Sequence, residues 1–495
     1  MPNSPRVSRR SRLRLREQRS RDDAEPRPDH DALPDAHRGG ARSAGRPRFG
    51  GRRLRPLRPA AALPAGRRGA RRGDEEVNAF TRRDGRLWVE DVSLDELAER
   101  HGTPLFVYSA TALTDNYDAL DRALGDAPHT LCYSIKTNMN LAVVRTLVAR
   151  GAGIDITSGG ELFRALRAGA SPEKIVYSGV GKRDDEIDQA LAAGIKMFNV
   201  ESRAELRRID AVAGARGVRA PVAFRVNPDV DPKTHPYIST GLRTSKFGIP
   251  WGEAGEAYAE AKALQHVDAV GIDCHIGSQL TEVQPFVDAL NRVRHLLLEL
   301  RDAGHAIRTI DVGGGLGVTY DDETPPSFEQ YASGVLESVG GLGCDLVFEP
   351  GRSFTANAGV MLTRVLYEKR NDEKRFVIVD GGMNDLIRPA LYQAYQRIEP
   401  VGPARGDARA ADVVGPVCES GDFLAKDRPF PPVETGDLLA VHSAGAYGFS
   451  MSSNYNGRVR AAEVLVKGDR AALVREREGY EDLVRGESIP EEITG

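Results

Sequence analysis

Eight short apolar runs, each followed by a polar or glycine-rich loop and then a helical pattern, recur between residues 131 and 349 of this chain. They are LCYSI (131–135), GIDI (153–156), KIVYS (174–178), KMFNV (196–200), PVAFRV (221–226), AVGIDCHI (269–276), TIDV (309–312) and DLVFE (345–349). Runs this short, bounded by turn residues and rich in β-branched side chains, read as strands buried on both faces. Between them, Leu141, Val144 and Val148 share one helical face, as do Leu162 and Leu166, and Ile187 and Leu191. Several of these helices are expected to stop at Gly169, Gly194 and Gly304, each preceded by Ala, as a C′ glycine requires. A doubly wound sheet is the alternative, but eight strands alternating with helices predict a (β/α)8 barrel.

After residue 355 the pattern changes. Strand-like text dominates in 359–369, 375–382, 437–448 and 461–468, and helical periodicity is short. The expected fold is therefore α/β plus all-β, a barrel followed by a β-sandwich or β-barrel domain. The barrel is expected over 108–355 and the β domain over 356–495. Residues 74–107, with a strand and a short helix, are expected to pack with the β domain.

Charge separates a further segment. Residues 1–73 hold 21 Arg, no Lys and 7 acidic residues, a charge of +14, whereas the rest of the chain carries −17. With 9 Pro and 8 Gly and no sustained apolar period, this stretch is expected to be a disordered extension. A basic arm for RNA or an anionic surface, or a transit peptide, are two readings of it. The plainest is GC-rich upstream DNA translated from a start assigned too early, with Val77 as an alternative start.

Composition narrows the function of the body. No run of 18 apolar residues exists, so no membrane helix is expected. Cys132, Cys274, Cys344 and Cys418 are far apart and form no CxxC, which argues against a disulfide scaffold or thiolate zinc site and suits a reducing cytoplasm. The acidic body argues against nucleic acid as the main partner.

In a (β/α)8 barrel the reacting groups sit at the C-terminal ends of the strands. At and just beyond the ends of the eight runs stand Lys136, then Asp155 and Ser158, Gly179, Glu201, Arg225 and Asn227, His275 and Ser278, Gly313-Gly314-Gly315, and Glu349 and Arg352. The glycine turn in DVGGGLG (311–317) comes after the seventh strand, where barrels often hold a phosphate; a tight βα turn explains the glycines equally well. SGVGKR (178–183) lacks the Ser/Thr of a Walker loop. Lys136 closes a buried strand, where desolvation would lower its pKa and make it a carbonyl-capturing amine; a rim salt bridge is the other reading. A phosphate site, such a lysine and a barrel together suggest pyridoxal 5′-phosphate (PLP). Glu349 would then partner the pyridine nitrogen and His275 would stack on the ring. Ordinary rim hydrogen bonds are the alternative for each.

The set YSIKTN, CHIGSQ, DVGGGLG, EPGR, DGGMNDLIRPALY, GPVCESGDFLAKDR and AGAYGFSMSSNYNGRVRAAEVLV closely resembles the diaminopimelate decarboxylases. These are fold-type III PLP decarboxylases related to alanine racemase, and the resemblance spans about residues 84 to 490 in family order. It implies that Lys136 holds PLP covalently, that His275 stacks on its ring, and that Ser278 and Gly314 contact its phosphate. Asp155, Gly313, Gly315, Gly351 and Arg352 complete the expected cofactor site, with Glu349 on the pyridine nitrogen and Tyr447 touching both cofactor and substrate. Arg352, Arg388, Tyr392 and Glu419 match substrate positions, Glu419 meeting the distal amine. Cys418 matches the proton donor. The implied reaction is decarboxylation of meso-2,6-diaminopimelate to L-lysine and CO2, in a cytoplasmic homodimer whose CESGD loop reaches the neighbouring site, with no metal. YSIKTN departs from the usual YAVKAN at Ser134 and Thr137, which flank the lysine.

Other readings differ at defined positions. A decarboxylase of arginine, ornithine, carboxynorspermidine or a carrier-bound glutamyl group would keep Lys136, His275 and Glu349 but alter Arg388, Tyr392 and Glu419. An alanine racemase would lack CESGD, and a non-catalytic homologue should have lost Lys136 or Cys418.

Overall fold

The computed structural model describes residues 79–230 and 246–494. The expectations for 1–73, and for a start at Val77, lie outside the described residues.

Strands β1 (Phe80–Arg83), β2 (Arg86–Val89) and β3 (Val92–Ser93) form a small antiparallel sheet, followed by α1 (Leu94–His101) and β4 (Leu105–Ser109). Then come α2 (Ala110–Leu124), β5 (His129–Ser134), α3 (Leu141–Arg150), β6 (Gly153–Ile156), α4 (Gly159–Arg167), β7 (Ile175–Tyr177), α5 (Asp184–Ala193), β8 (Met197–Val200), α6 (Arg203–Arg216) and β9 (Ala220–Asn227). After the short β10 (Ile249–Pro250) come α7 (Ala254–Ala263), β11 (Val267–Asp273), α8 (Gln284–Asp302), β12 (Thr309–Asp311), α9 (Phe328–Val339) and β13 (Asp345–Phe348). Strands β9, β11, β12, β13, β5, β6, β7 and β8 pair in that order, all parallel, and β8 pairs back onto β9. The eight expected strands thus close into a barrel.

The barrel interior obeys the two-residue period of a strand. Cys132, Val176, Met197, Ala223, Val270 and Val347, from six different strands, form one buried apolar plug. Two residues beyond Cys132, Val176, Met197, Ala223 and Val347 stand Ser134, Ser178, Asn199, Arg225 and Glu349. Asp155, Asp273 and Asp311 occupy the matching ends of β6, β11 and β12. The chain therefore lays a dry layer at the centre and a buried polar layer toward the C-terminal mouth.

The helices fit the expected stops: Gly194 takes a positive φ as the cap of α5, and Gly169 and Gly304 do so one residue past the Ala caps of α4 and α8. The expected apolar faces are shifted in two places. Helix α3 buries Val143, Val144 and Leu147 and leaves Leu141, its first residue, on the rim. Helix α4 buries Leu162 and Ala165 and leaves Leu166 exposed, because the small Ala lets the helix approach its strand closely.

Beyond the barrel, α10 (Arg352–Thr355) leads to β14 (Gly359–Arg370), β15 (Arg375–Val379), α11 (Arg388–Tyr392), β16 (Ile398–Pro400), β17 (Arg409–Val414), β18 (Phe423–Phe430), β19 (Leu438–Val441), β20 (Ala462–Lys467) and β21 (Arg470–Arg475). Their sheet runs β18-β17-β15-β14-β4-β20-β21, with β19 pairing β14 and β16. Strand β4, which precedes the barrel in sequence, is thus a central strand of the β domain. All five of its residues are buried, as its unbroken apolar run requires. Tyr108 and Ser109, expected in the barrel, complete this strand; the Ser109 hydroxyl accepts the Ala112 N–H and caps α2.

Phe106 of β4 is fully buried and meets Phe449 edge-on at 5.9 Å. Truncating a buried aromatic ring costs about 3–5 kcal/mol through lost transfer energy and the cavity left behind. A Phe106→Ala variant should lose stability of about that size in a urea unfolding curve, with the barrel residues untouched.

Candidate active site

Lys136 sits in a short turn just past β5, its Nζ donating to Asp155 Oδ2 at 2.8 Å. The lysine side chain is 37% exposed toward the mouth, whereas the Asp155 side chain has no exposed surface. The Ser134 hydroxyl donates to the same Asp155 oxygen at 2.6 Å. Burial pulls the Lys136 pKa down, but Asp155 and then Glu349 outweigh it and hold the ammonium above its usual range. This reverses the expected direction: the neighbouring carboxylates, not desolvation, dominate.

Glu349 ends the eighth barrel strand. Its Oε1 accepts from Ser178 Oγ at 3.0 Å and from Asn199 Nδ2 at 3.2 Å. Asn199 Nδ2 also donates to Asp311 Oδ2 at 2.9 Å, linking the two acids. Burial, then the charges of Asp155, Asp311 and Asp273, push the Glu349 carboxyl well above the usual range. Asp311 rises to about 7, chiefly through burial. Reading only the loops after each strand misses Ser178, Asn199, Asp273 and Asp311. The signal is nonetheless present: GID, GID and TID recur at the ends of β6, β11 and β12.

His275 comes just after β11. Burial, then Arg225 and Lys136, hold its pKa well below the usual value, so the ring is neutral. Its Nδ1 accepts the Gly314 N–H at 3.1 Å, which places the ring proton on Nε2. The Gly313 N–H goes to Asp311 Oδ1 at 3.0 Å. Two amides that the sequence offered to a phosphate are therefore already committed within the chain. The glycines are required for packing as well: a Cβ on Gly314 would lie 2.2 Å from the Glu349 carbonyl oxygen, and one on Gly351 would lie 2.6 Å from Thr137 Cγ2.

Arg352 donates through Nη1 to Tyr320 Oη at 2.6 Å and through Nη2 to Ser278 Oγ at 3.0 Å. It lies 4.9 Å from the Tyr447 ring, and Arg388 lies 4.3 Å from the Tyr320 ring. Tyr392 contributes to the electrostatic surroundings of both arginines. Tyr447 adopts a left-handed backbone, φ 56°, and donates its N–H to the Thr137 carbonyl at 2.8 Å. Strain of this kind persists where surrounding contacts impose it.

Lys136, Asp155, His275, Ser278, Gly313–Gly315, Glu349, Gly351, Arg352, Arg388 and Tyr447 thus share one mouth. Cys418 and Glu419 are exposed on the loop between β17 and β18, Cys418 N–H donating to Asn456 Oδ1 and Glu419 accepting from the Tyr455 hydroxyl. Lys182, from the Walker-like text, is buried in an ion pair with Glu205 at 2.6 Å.

The residues suit an aldehyde cofactor with a phosphate and a basic ring nitrogen. Arg352 Nε is a buried donor with no partner, beside a Ser278 hydroxyl that can still donate. An amine lies at one side of the mouth and a carboxylate, Glu349, at its floor.

Comparison with known proteins agrees. The model of the family "Pyridoxal-dependent decarboxylase, pyridoxal binding domain" matches residues 111–356. Diaminopimelate decarboxylase of Pseudomonas aeruginosa is 54% identical over 413 residues, 83% of this chain and 99% of that protein. The Vibrio cholerae enzyme is 53% identical over 82% of this chain and 97% of its own length. The structure of diaminopimelate decarboxylase from Helicobacter pylori complexed with L-lysine matches with a TM-score of 0.77 at 42% identity, covering 79% of this chain and 98% of that one. The M. jannaschii enzyme in complex with L-lysine gives a TM-score of 0.80 at 38% identity, covering 84% and 99%.

The raised carboxyls have a measurable consequence. Without cofactor, the folded chain binds more protons than the unfolded one between the usual carboxyl pKa of about 4 and the Asp311 value of about 7. Stability should therefore fall as pH rises through that window. Asp311→Asn removes one such group, so the cofactor-free variant should gain on the order of 1 kcal/mol relative to wild type at pH 8. The gain should be clearly smaller at pH 4.5. Thermal melts at the two pH values check this.

Proposed function

This chain belongs to the diaminopimelate decarboxylases, PLP-dependent lyases that form L-lysine and CO2, and on that premise we propose how its own residues carry the reaction. The observation that carries the assignment is the constellation of Lys136, Asp155, His275 and Glu349 in one barrel mouth.

When bound, PLP supplies the electron sink that accepts the pair left behind as CO2 departs. Lys136 holds the aldehyde end, and Asp155 keeps its Nζ at a fixed point above β6. Glu349, oriented by Ser178 and Asn199, would partner the ring nitrogen and stabilise positive charge there. The neutral His275 presents an apolar ring face, its tautomer set by Gly314. Arg352 Nε and Ser278 would form the anion-binding side, beside the glycine turn.

Selectivity rests on the far end of meso-2,6-diaminopimelate, which carries an amine and a carboxylate. Arg352 and Arg388, held by stacking on Tyr447 and Tyr320, suit the carboxylate, with Tyr392 beside them. Glu419 suits the amine, and the Cys418 thiol delivers a proton to the α-carbon. Both sit on an exposed loop. That exposure supports a homodimer in which each loop completes the partner's site. The four cysteines are free, which supports a reducing, cytoplasmic setting.

Incubation with PLP and meso-diaminopimelate should yield lysine and CO2. Lys136→Ala should yield neither and should lack the visible band of lysine-bound PLP. Mixing Lys136→Ala with Cys418→Ala subunits should restore about a quarter of the wild-type rate, since half the dimers then carry one intact site of two. No recovery would refute sharing across the dimer. Ornithine leaves a buried guanidinium unpaired, so its kcat/KM should be lower by about 100-fold or more.

A further inference from the structure

The turn that carries Lys136 does not rest on the barrel alone. The Thr137 carbonyl accepts the Tyr447 N–H at 2.8 Å and the Ser450 hydroxyl at 3.0 Å. Asn138 Nδ2 donates to the Gly445 carbonyl at 3.1 Å. Asn138 Oδ1 accepts the Asn140 N–H at 3.1 Å, closing a link along the turn. Asn140 then acts in two directions. Its Oδ1 accepts the Ala142 N–H at 2.9 Å and caps α3. Its Nδ2 reaches out of the barrel to Glu463 Oε2 at 2.9 Å and, more weakly, to the Val474 carbonyl of β21 at 3.5 Å.

Glu463 is a carboxylate with no exposed surface, on β20 in the β domain. Its Oε1 accepts the Tyr108 hydroxyl at 2.8 Å, from β4. Its Oε2 also accepts Arg475 Nε at 2.5 Å, from β21. A buried carboxylate is costly unless its oxygens are filled, and an apolar residue of similar size could occupy this strand without that cost. Instead, three donors from β4, β21 and the Lys136 turn converge on one group. Two of them belong to the β domain, and the third alone among these leads to the reacting amine.

We propose that Glu463, acting through Asn140, is a positioning residue for Lys136. It ties the end of the lysine turn to the sheet, so that Lys136 Nζ, Asp155 and the Tyr447 turn hold one geometry. The strain at Tyr447 fits this arrangement, because its N–H is aimed at the same turn. Without the tether, residues 138–140 relax and the amine loses its alignment, although the helix cap survives. The proposal rests on Lys136 being the residue that takes PLP.

Asn140→Ser separates the two duties of this side chain, since serine still caps a helix but has no amide to donate. Glu463→Gln keeps the shape and one acceptor oxygen. PLP is added to each cofactor-free protein, and the visible band is monitored as Nζ condenses with the aldehyde carbon and water leaves. Melting temperature, kcat and KM for meso-diaminopimelate are measured alongside. Asn140→Ser should slow capture and kcat about tenfold or more, with KM within about twofold and an unchanged melting temperature. The double variant should be no slower than the slower single variant, because both remove one link. Wild-type capture by Asn140→Ser, a lowered melting temperature with normal capture, or additive losses in the double variant would each overturn the proposal. Should Glu463→Gln fail to fold, Asn140→Ser alone decides. A Lys136→Ala protein that still gains the band would show instead that the assignment of Lys136 is at fault.

Discussion

The contact between Lys136 Nζ and the fully buried Asp155 carboxylate sets the terms for the rest of the mouth. Asp155, Asp273, Asp311 and Glu349 crowd one buried layer, and each of the three aspartates raises the pKa of at least one other acid there. Arg225, the other cation there, is engaged with Glu201 at 3.1 Å. The layer thus carries more potential negative charge than its own cations can match. The raised carboxyls of Glu349 and Asp311 are the expression of that imbalance. A protonated ring nitrogen beside Glu349 would supply the missing cation and let that carboxyl ionise. On the proposed placement, cofactor recognition and charge relief would be one physical event, which would account for so many acids kept out of water.

Much of this was legible in the sequence, for identifiable reasons. Each barrel strand is covered on both faces, so it reads as an unbroken apolar run. The residue just past it falls on the rim where chemistry is expected. Asn199 escapes that rule because it lies inside β8, and Asp311 because it is the last residue of β12 rather than the first residue beyond it. Stepping two residues from the apolar layer finds Asn199, since Met197 leads to it as Val347 leads to Glu349, whereas Asp311 is marked by the recurrent GID/TID ending. The strands β17 and β18 were not legible, since RAADVV and FLAKDRPF alternate poorly and include exposed charges. The place of β4 was not legible either. Its apolar run marks a buried strand, but nothing local says that it lies between β14 and β20.

The glycine turn shows a different limit. Its composition correctly marks a site of close approach, because Gly314 packs against the Glu349 carbonyl. Composition cannot say which amides remain for a ligand. The structure spends the Gly313 and Gly314 amides on Asp311 and His275, which positions two functional side chains rather than an anion. On the proposed reading, Ser278 and Arg352, beside this turn, would supply donors for the anion.

Cys418 and Glu419 raise the question of how an exposed loop can serve a site with tight geometric demands. The loop is held by hydrogen bonds within this chain. Asp422 accepts the Met383 and Val417 N–H groups, each at 2.6 Å, and Cys418 N–H is held by Asn456. A segment already ordered by its own hydrogen bonds loses little conformational entropy on docking, so more of the contact energy remains for association. A flexible loop of the same sequence would bind more weakly and would present the thiol over a range of positions. Rigidity without burial is therefore the property that the proposed shared site would require of a donated segment. Asp422, which touches no reacting group in this chain, is the residue that confers it.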